Sequence, residues 1–235
     1  MSDPVCHNGN MNQNYTEIAF VLDRSGSMHS WQEAAINGFN LFLHEQQLVE
    51  GLARLTLVLF DDEYLVPVNA LPVAEVVPLD LETYVPRGST ALLDAIGRTI
   101  DEMGTRLAAW PEKDRPAQVI VAILTDGLEN SSQTYTWPQL AGAIKRQTEQ
   151  YRWTFLFLGA NQDAIATAAQ MNIAAVNAAT YVNDAPGLRA TSLSFARKVR
   201  ALRRSSMGKA TVEESLDAIA PMSILTEEED KKERT

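Results

Sequence analysis

The sequence predicts an α/β domain, doubly wound, with a mostly parallel sheet and helices on both faces. Apolar runs of strand length alternate along the chain with segments of helical period, which is the pattern of a sheet wound with crossover helices. The runs IAFVLD, RLTLVLF, AQVIVAILTDG and WTFLFLGA are almost continuously apolar, as strands covered on both faces must be. Helix-start signals lie between them, with Ser30 three residues before Glu33 and Thr136 three before Gln139.

Each element can be justified in turn. Residues 1–14 are polar and read as a flexible lead-in, and residues 16–23 as a buried strand. Ser30 is placed to cap a helix running to about Leu48, with Ile36, Phe39 and Leu43 on one face. RLTLVLF is the second strand. Asp61-Asp62-Glu63 is a hairpin turn into YLVPVN, whose Pro67 suits an edge strand. A loop from about Ala70 to Gly88 leads to a helix from near Thr90 to about Ala108. AQVIVAILTDG, the most apolar strand, belongs at the sheet centre. Thr136 opens a helix to about Gln150. WTFLFLGA follows as a strand, QDAIATAAQM as a short helix and IAAVNA as a weak last strand.

Composition narrows the function. The chain has 235 residues, 46% hydrophobic and 21% charged, enough for one large domain with a sizeable core. A formal charge of −10 argues against nucleic-acid binding, which needs a basic surface. The one cysteine, Cys6, cannot form an internal disulfide and suits a reducing compartment. The N-terminus lacks the apolar stretch of a signal peptide, and no run is long enough to cross a membrane. A cytoplasmic protein is expected. From Pro186 onward the character changes: residues 186–235 carry a net +2, against −12 for residues 1–185. Basic residues gather in ARKVRALRRSSMGK, read as the exposed face of a last helix over 186–210 or a docking surface for a partner. The run TEEEDKKERT closes a charged segment, 211–235, expected to stay flexible and solvated.

In open α/β sheets, ligands bind beyond the carboxyl ends of the strands. Three segments bring oxygens to that edge. Asp23, Ser25 and Ser27 end the first strand at alternate positions, so all three can face one side. Thr90 stands at the mouth of a helix, where Gly88 lets the backbone turn. Asp126 ends the central strand. Two carboxylates and three hydroxyls suit a hard cation such as magnesium, and not zinc or copper. Each segment alone could be a helix cap or a turn; in order, each at its own strand end, they point to a metal site.

The motifs VLDRSGSM, GSTALLDA and LTDGLENS together resemble the von Willebrand factor type A domain and its metal-ion-dependent adhesion site. The resemblance covers roughly residues 15–180 and is given the domain bounds 15–185. It implies a six-stranded sheet of order 3-2-1-4-5-6 with strand three as the antiparallel edge. It also implies that Ser25, Ser27 and often Thr90 touch the metal, with Asp23 and Asp126 acting directly or through water. A partner protein's Asp or Glu then completes the coordination of Mg2+, for which Mn2+ or Ca2+ can substitute. Without a signal peptide, disulfide pair or anchor, the chain resembles the intracellular, stand-alone members of bacteria and mobile elements, which often work beside an ATPase or kinase complex. The expected function is a magnesium-dependent protein-binding module that is not an enzyme and contacts neither nucleic acid nor membrane.

Two rivals stay open. A magnesium-dependent phosphoryl hydrolase of the haloacid dehalogenase kind needs a second carboxylate two residues after the first, where this chain has Ser25. The other rival is a metal-free scaffold of the same fold. A serine hydrolase would need a G-x-S-x-G elbow and a histidine partner, and Ser25 and Ser27 lack both. Arg24 and Arg87 read as solvated rim charges, and His29 as a surface residue at a helix start. Glu129, Asn130, Asn161, Gln162 and Asp163 could line the rim or serve only helix starts.

Overall fold

The computed structural model describes residues 12–160 and 164–235. The strands are β1 (Asn12–Asp23), β2 (Leu52–Phe60), β3 (Tyr64–Pro72), β4 (Pro116–Thr125), β5 (Thr154–Ala160) and β6 (Ala178–Tyr181). They form one sheet of order β3-β2-β1-β4-β5-β6, in which β3 runs antiparallel to β2 and every other pairing is parallel. The expected topology is therefore the observed one. The chain winds outward in one direction from β1 and in the other from β4. These two central strands flank the switch point, where an open α/β sheet leaves a crevice. Pairing Leu22 with Leu124 sets Asp23 level with Thr125 at the carboxyl edge.

The pleat divides the core in two. Ile18, Phe20 and Leu22 of β1 face α1 (Gln32–Gln47) and α5 (Ala185–Ser206), while Ala19 and Val21 face the other way. That second layer holds α2 (Leu92–Ala108), α3 (Trp137–Tyr151) and α4 (Ala164–Gln170). Phe20 sits among three aromatic rings, with centroids 5.4 Å from Phe39, 4.8 Å from Phe42 and 5.7 Å from Phe195. Since Phe195 belongs to α5, the basic C-terminal helix completes the main core.

Local expectations fared unevenly. The Thr136–Gln139 capping box at α3 forms. Ser30 does not cap α1: a 3₁₀ turn over Gly26–Trp31 comes first, and the helix starts at Gln32 without a side-chain cap. The last strand is AATY and not IAAVNA, because 175–177 coil into a 3₁₀ turn. Residues 1–11, including Cys6, and residues 161–163 lie outside the described residues, while 12–14 already belong to β1.

The segment 211–235 is not a loose tail. It forms α6 (Val212–Ile219) and α7 (Met222–Glu233), packed on α5 with Met222 and Leu225 buried. Its acids serve the basic residues of α5. Arg197 pairs with Asp217, Glu228 and Glu229 at 2.6, 2.6 and 3.2 Å, and Arg204 with Glu214 at 2.8 Å. Two more cations cap helix ends, where backbone carbonyls lack intrahelical partners. Buried Arg203 donates to the carbonyls of Gln46 at 2.8 Å and Val49 at 3.2 Å beyond α1, and its burial pushes the guanidinium down to about 10. Lys198 donates to the carbonyls of Asp217, Ala218 and Ala220 at 3.2, 2.8 and 2.7 Å, and burial lowers it to about 8. The basic stretch is thus largely neutralised within the domain. Among the described residues, no helix is long and apolar enough to cross a membrane.

Candidate metal centre

At the end of β1, the Asp23 carboxylate is fully buried and both its oxygens are held. One accepts the Ser25 N–H at 2.7 Å, the other the Thr125 hydroxyl at 2.6 Å. The carbonyl of Asp23 accepts the Tyr84 hydroxyl at 2.6 Å. Burial pushes the carboxyl up to about 6; the Thr125 and Ser25 hydrogen bonds oppose this and the nearby Asp126 charge adds to it. Neither Asp23 nor Asp126 forms an ion pair with a cationic side chain among the described residues.

The serines carry the site across to β4. The Ser25 and Ser27 hydroxyl oxygens lie 3.1 Å apart, and Ser27 donates to Asp126 at 2.6 Å. Asp126 is half-buried and raised from the usual carboxylate range by that burial, against hydrogen bonds from Ser27 and Asn183. Asn183, just past β6, donates to its other oxygen at 3.4 Å.

Thr90 joins from a third segment. Its N–H donates to the Asn130 side chain at 2.8 Å and its carbonyl accepts the Asn130 N–H at 3.1 Å, so the residue is clamped from both sides. Its hydroxyl faces Gly127, where an added Cβ would lie 2.7 Å from the Thr90 oxygen. Gly127 therefore lets the loop bearing Asp126 close on Thr90. Gly88 turns the chain with φ +67°, and a side chain there would strike Asp62 at 1.8 Å.

All five expected site residues thus gather at the carboxyl edge. Asp23, Ser25, Ser27 and Asp126 are joined in turn by hydrogen bonds, and Thr90 lies against Gly127, next to Asp126. Arg24 departs from the expected solvated rim charge, while Arg87 is exposed as expected. Arg24 is buried, not solvated, and pairs with the buried Asp61 at 3.0 Å; Arg87 pairs with the same oxygen at 3.0 Å, and both also reach Glu63. The Arg87 N–H donates to the Arg24 carbonyl at 2.8 Å and the Ala91 N–H to the Asp61 carbonyl at 3.0 Å. This cluster ties the loops after β1 and β2 to the segment bearing Thr90. Glu129 caps α2, accepting the Leu93 N–H at 3.0 Å. His29 is exposed on the turn, and neither Ser25 nor Ser27 is hydrogen-bonded to a histidine or lysine among the described residues.

Sequence reading missed Thr125, Tyr84, Tyr181 and Asn183. Thr125 gave a signal, as the one hydroxyl ending an apolar run. Tyr84 and Asn183 sit in loops with no local pattern. Tyr181 is buried and donates to the Thr125 carbonyl at 3.4 Å.

The donor set fits a hard cation. The Ser25 and Ser27 hydroxyl oxygens, within hydrogen-bond distance of each other, are neutral oxygen donors of the kind magnesium takes. No group of three or more His, Cys, Asp or Glu side chains is placed to hold a metal among the described residues. The set instead combines three hydroxyls, of Ser25, Ser27 and Thr90, with the carboxylates of Asp23 and Asp126.

No protein-family model matches the chain, and no curated protein matches its sequence. Its fold is found in solved structures. A von Willebrand factor type A protein from Catenulispora acidiphila is 17% identical with a TM-score of 0.51, over 83% of this chain and 43% of that one. The manganese-loaded TRAP protein of Plasmodium vivax is 16% identical with a TM-score of 0.52, over 72% of this chain and 69% of that one. The pilus adhesin SpaC of Lactobacillus rhamnosus GG, in its open conformation, is 14% identical with a TM-score of 0.59, over 82% of this chain and 31% of that one. The chain thus spans less than half of the Catenulispora and Lactobacillus proteins. At these identities the likeness is one of fold.

Proposed function

We propose that this chain, which has the fold of von Willebrand factor type A domains, is a protein-binding module that docks its partner through a divalent cation. In this reading Ser25, Ser27 and Thr90 hold the ion, with Asp23 and Asp126 acting directly or through water. The observation that carries it is the Ser27 hydroxyl, which meets Ser25 at 3.1 Å and Asp126 at 2.6 Å, joining two strand ends at the switch point. The ion, when bound, supplies a poorly compensated positive charge that attracts an outside carboxylate strongly once water is excluded.

The protein's own residues do the positioning. Asp23 and Thr125 fix the turn that presents Ser25. Asn130 and Gly127 set Thr90 against the Asp126 loop. The Arg24–Asp61–Arg87 cluster stiffens the segments behind them. The cation proposed is magnesium, with manganese or calcium as substitutes, because all donors are hard oxygens. Manganese loading of the TRAP protein, a neighbour in fold, supports a divalent ion. The partner proposed is a protein presenting Asp or Glu, within an ATPase- or kinase-associated complex, in the cytoplasm and without nucleic acid or membrane. Catalytic turnover is not expected: the Ser27 hydroxyl is held by the Asp126 carboxylate, and neither serine is paired with a histidine or lysine among the described residues.

Isothermal calorimetry with magnesium tests the site, and affinity capture from the native host, with magnesium and with chelator, tests the docking. The reading expects a partner lost only in chelator. An absence of divalent binding up to millimolar concentrations overturns it, as does magnesium-dependent phosphate-ester hydrolysis that is lost in Asp23→Ala.

A further inference from the structure

Helix α6 is amphipathic but turned inside out. At about 100° per residue, Val212, Leu216 and Ile219 fall within an arc of about 60°, and they are 81%, 60% and 74% exposed. Glu214 and Asp217 occupy the opposite side and point into the domain. Asp217 holds Arg197 through two bonds of 2.7 and 2.6 Å, and Glu214 takes Arg204 at 2.8 Å. Glu214 also closes a capping box with Thr211, and Lys198 grips the carbonyls at the helix's far end. The polar face is therefore fixed inward at both ends of the helix, and the apolar stripe is held out in water.

The size and charge of the stripe decide what covers it. Three such side chains expose on the order of 300 Å², within the range of patches that mark interaction sites but far below the ~800 Å² per partner of a standard stable interface. A second copy laid flat on it would bury too little, and each copy carries −10. A helix-in-groove contact concentrates its burial on a few anchors, read at i, i+4 and i+7. Glu213 lies exposed beside the stripe and pairs with no cation among the described residues.

We propose that α6 is a docking helix that inserts Val212, Leu216 and Ile219 into an apolar groove of a different protein, with a basic residue on the groove's rim facing Glu213. This contact is separate from the cation site and does not depend on it.

A photo-cross-linking amino acid placed at position 216 of the full chain, with position 149 on α3 as control, tests this in host extract. The expected cross-link forms at 216 and not at 149. It persists in chelator and disappears when Val212→Glu is added. The cross-linked partner surface contains apolar residues flanked by Lys or Arg. Absence of a cross-link, equal labelling at 149, capture of a second copy of this chain, or a partner surface lacking those residues overturns the proposal. Loss in chelator overturns the claimed independence. Leu216→Glu alone is expected to leave the melting temperature within about 2 °C of the parent; a larger fall means the stripe packs on its own domain.

Discussion

The Tyr84 hydroxyl donates a 2.6 Å hydrogen bond to the backbone carbonyl of Asp23, across 61 positions of sequence. The loop after β3 is thereby seated under the strand end that bears the candidate metal centre. Tyr84 is wholly buried, and its phenol is raised well above its usual range by burial, with Asp23 and Asp126 adding to the shift. It remains a neutral donor at any pH of interest.

Tyr84→Phe keeps the ring and leaves a buried carbonyl without its donor. A stability loss of about 1–2 kcal/mol is expected in urea unfolding, with weaker cation binding by calorimetry. Unchanged values in both would mean that the hydrogen bond positions nothing.

Asp23→Asn preserves shape and removes charge. The variant is expected to fold, because an amide oxygen can still accept one of the two hydrogen bonds, from Ser25 or Thr125. Magnesium binding should fall below detection in calorimetry. Wild-type affinity in this variant would remove Asp23 from the metal centre.

The pH response follows from the same group. Its folded value of about 6 lies above the unfolded value of about 3.9, so the native state binds more protons between them. Stability of the metal-free protein should therefore fall as pH rises through that window, and this contribution should vanish in Asp23→Asn. Cation affinity should run the other way, rising with pH through about 6, because the ion displaces the proton. Denaturation midpoints in chelator at pH 4.5 and 7, together with magnesium titrations, check both signs.

Phe195→Ala tests the place of α5. Removing a ring packed against Phe20 should cost about 3–5 kcal/mol. If α5 were only a docking element, the loss would be a few tenths of that. Salt should change partner binding little through this segment, since Arg197, Arg200 and Arg204 are already paired and Arg203 is buried.

The legible parts of this sequence were those with local chemistry. Continuous apolar runs gave the strands, and oxygen-bearing residues at two strand ends and a helix mouth singled out Asp23, Ser25, Ser27, Asp126 and Thr90, which the fold brings to one sheet edge. The strand order came from family resemblance, since periodicity alone does not arrange strands. What escaped depended on distant partners. Arg24 looked like a rim charge because Asp61, which neutralises it, lies on another strand's loop. The segment 211–235 looked solvated because its acids are matched by arginines of α5, and its few buried residues, Met222 and Leu225, are diluted among charges. β6 was misplaced because AATY is short and alanine-rich and has little β-propensity.

Phe195 closes the aromatic cluster around Phe20, and this has a consequence for synthesis. Phe20 leaves the ribosome early, while the helix that covers it follows the last strand of the sheet. Until α5 emerges, that face of the central strands is covered by α1 alone, and exposed apolar surface of the kind left beside it is where nascent chains aggregate or recruit chaperones. Folding of this domain therefore finishes after translation of α5, and a ribosome stalled before that helix would hold a half-covered sheet.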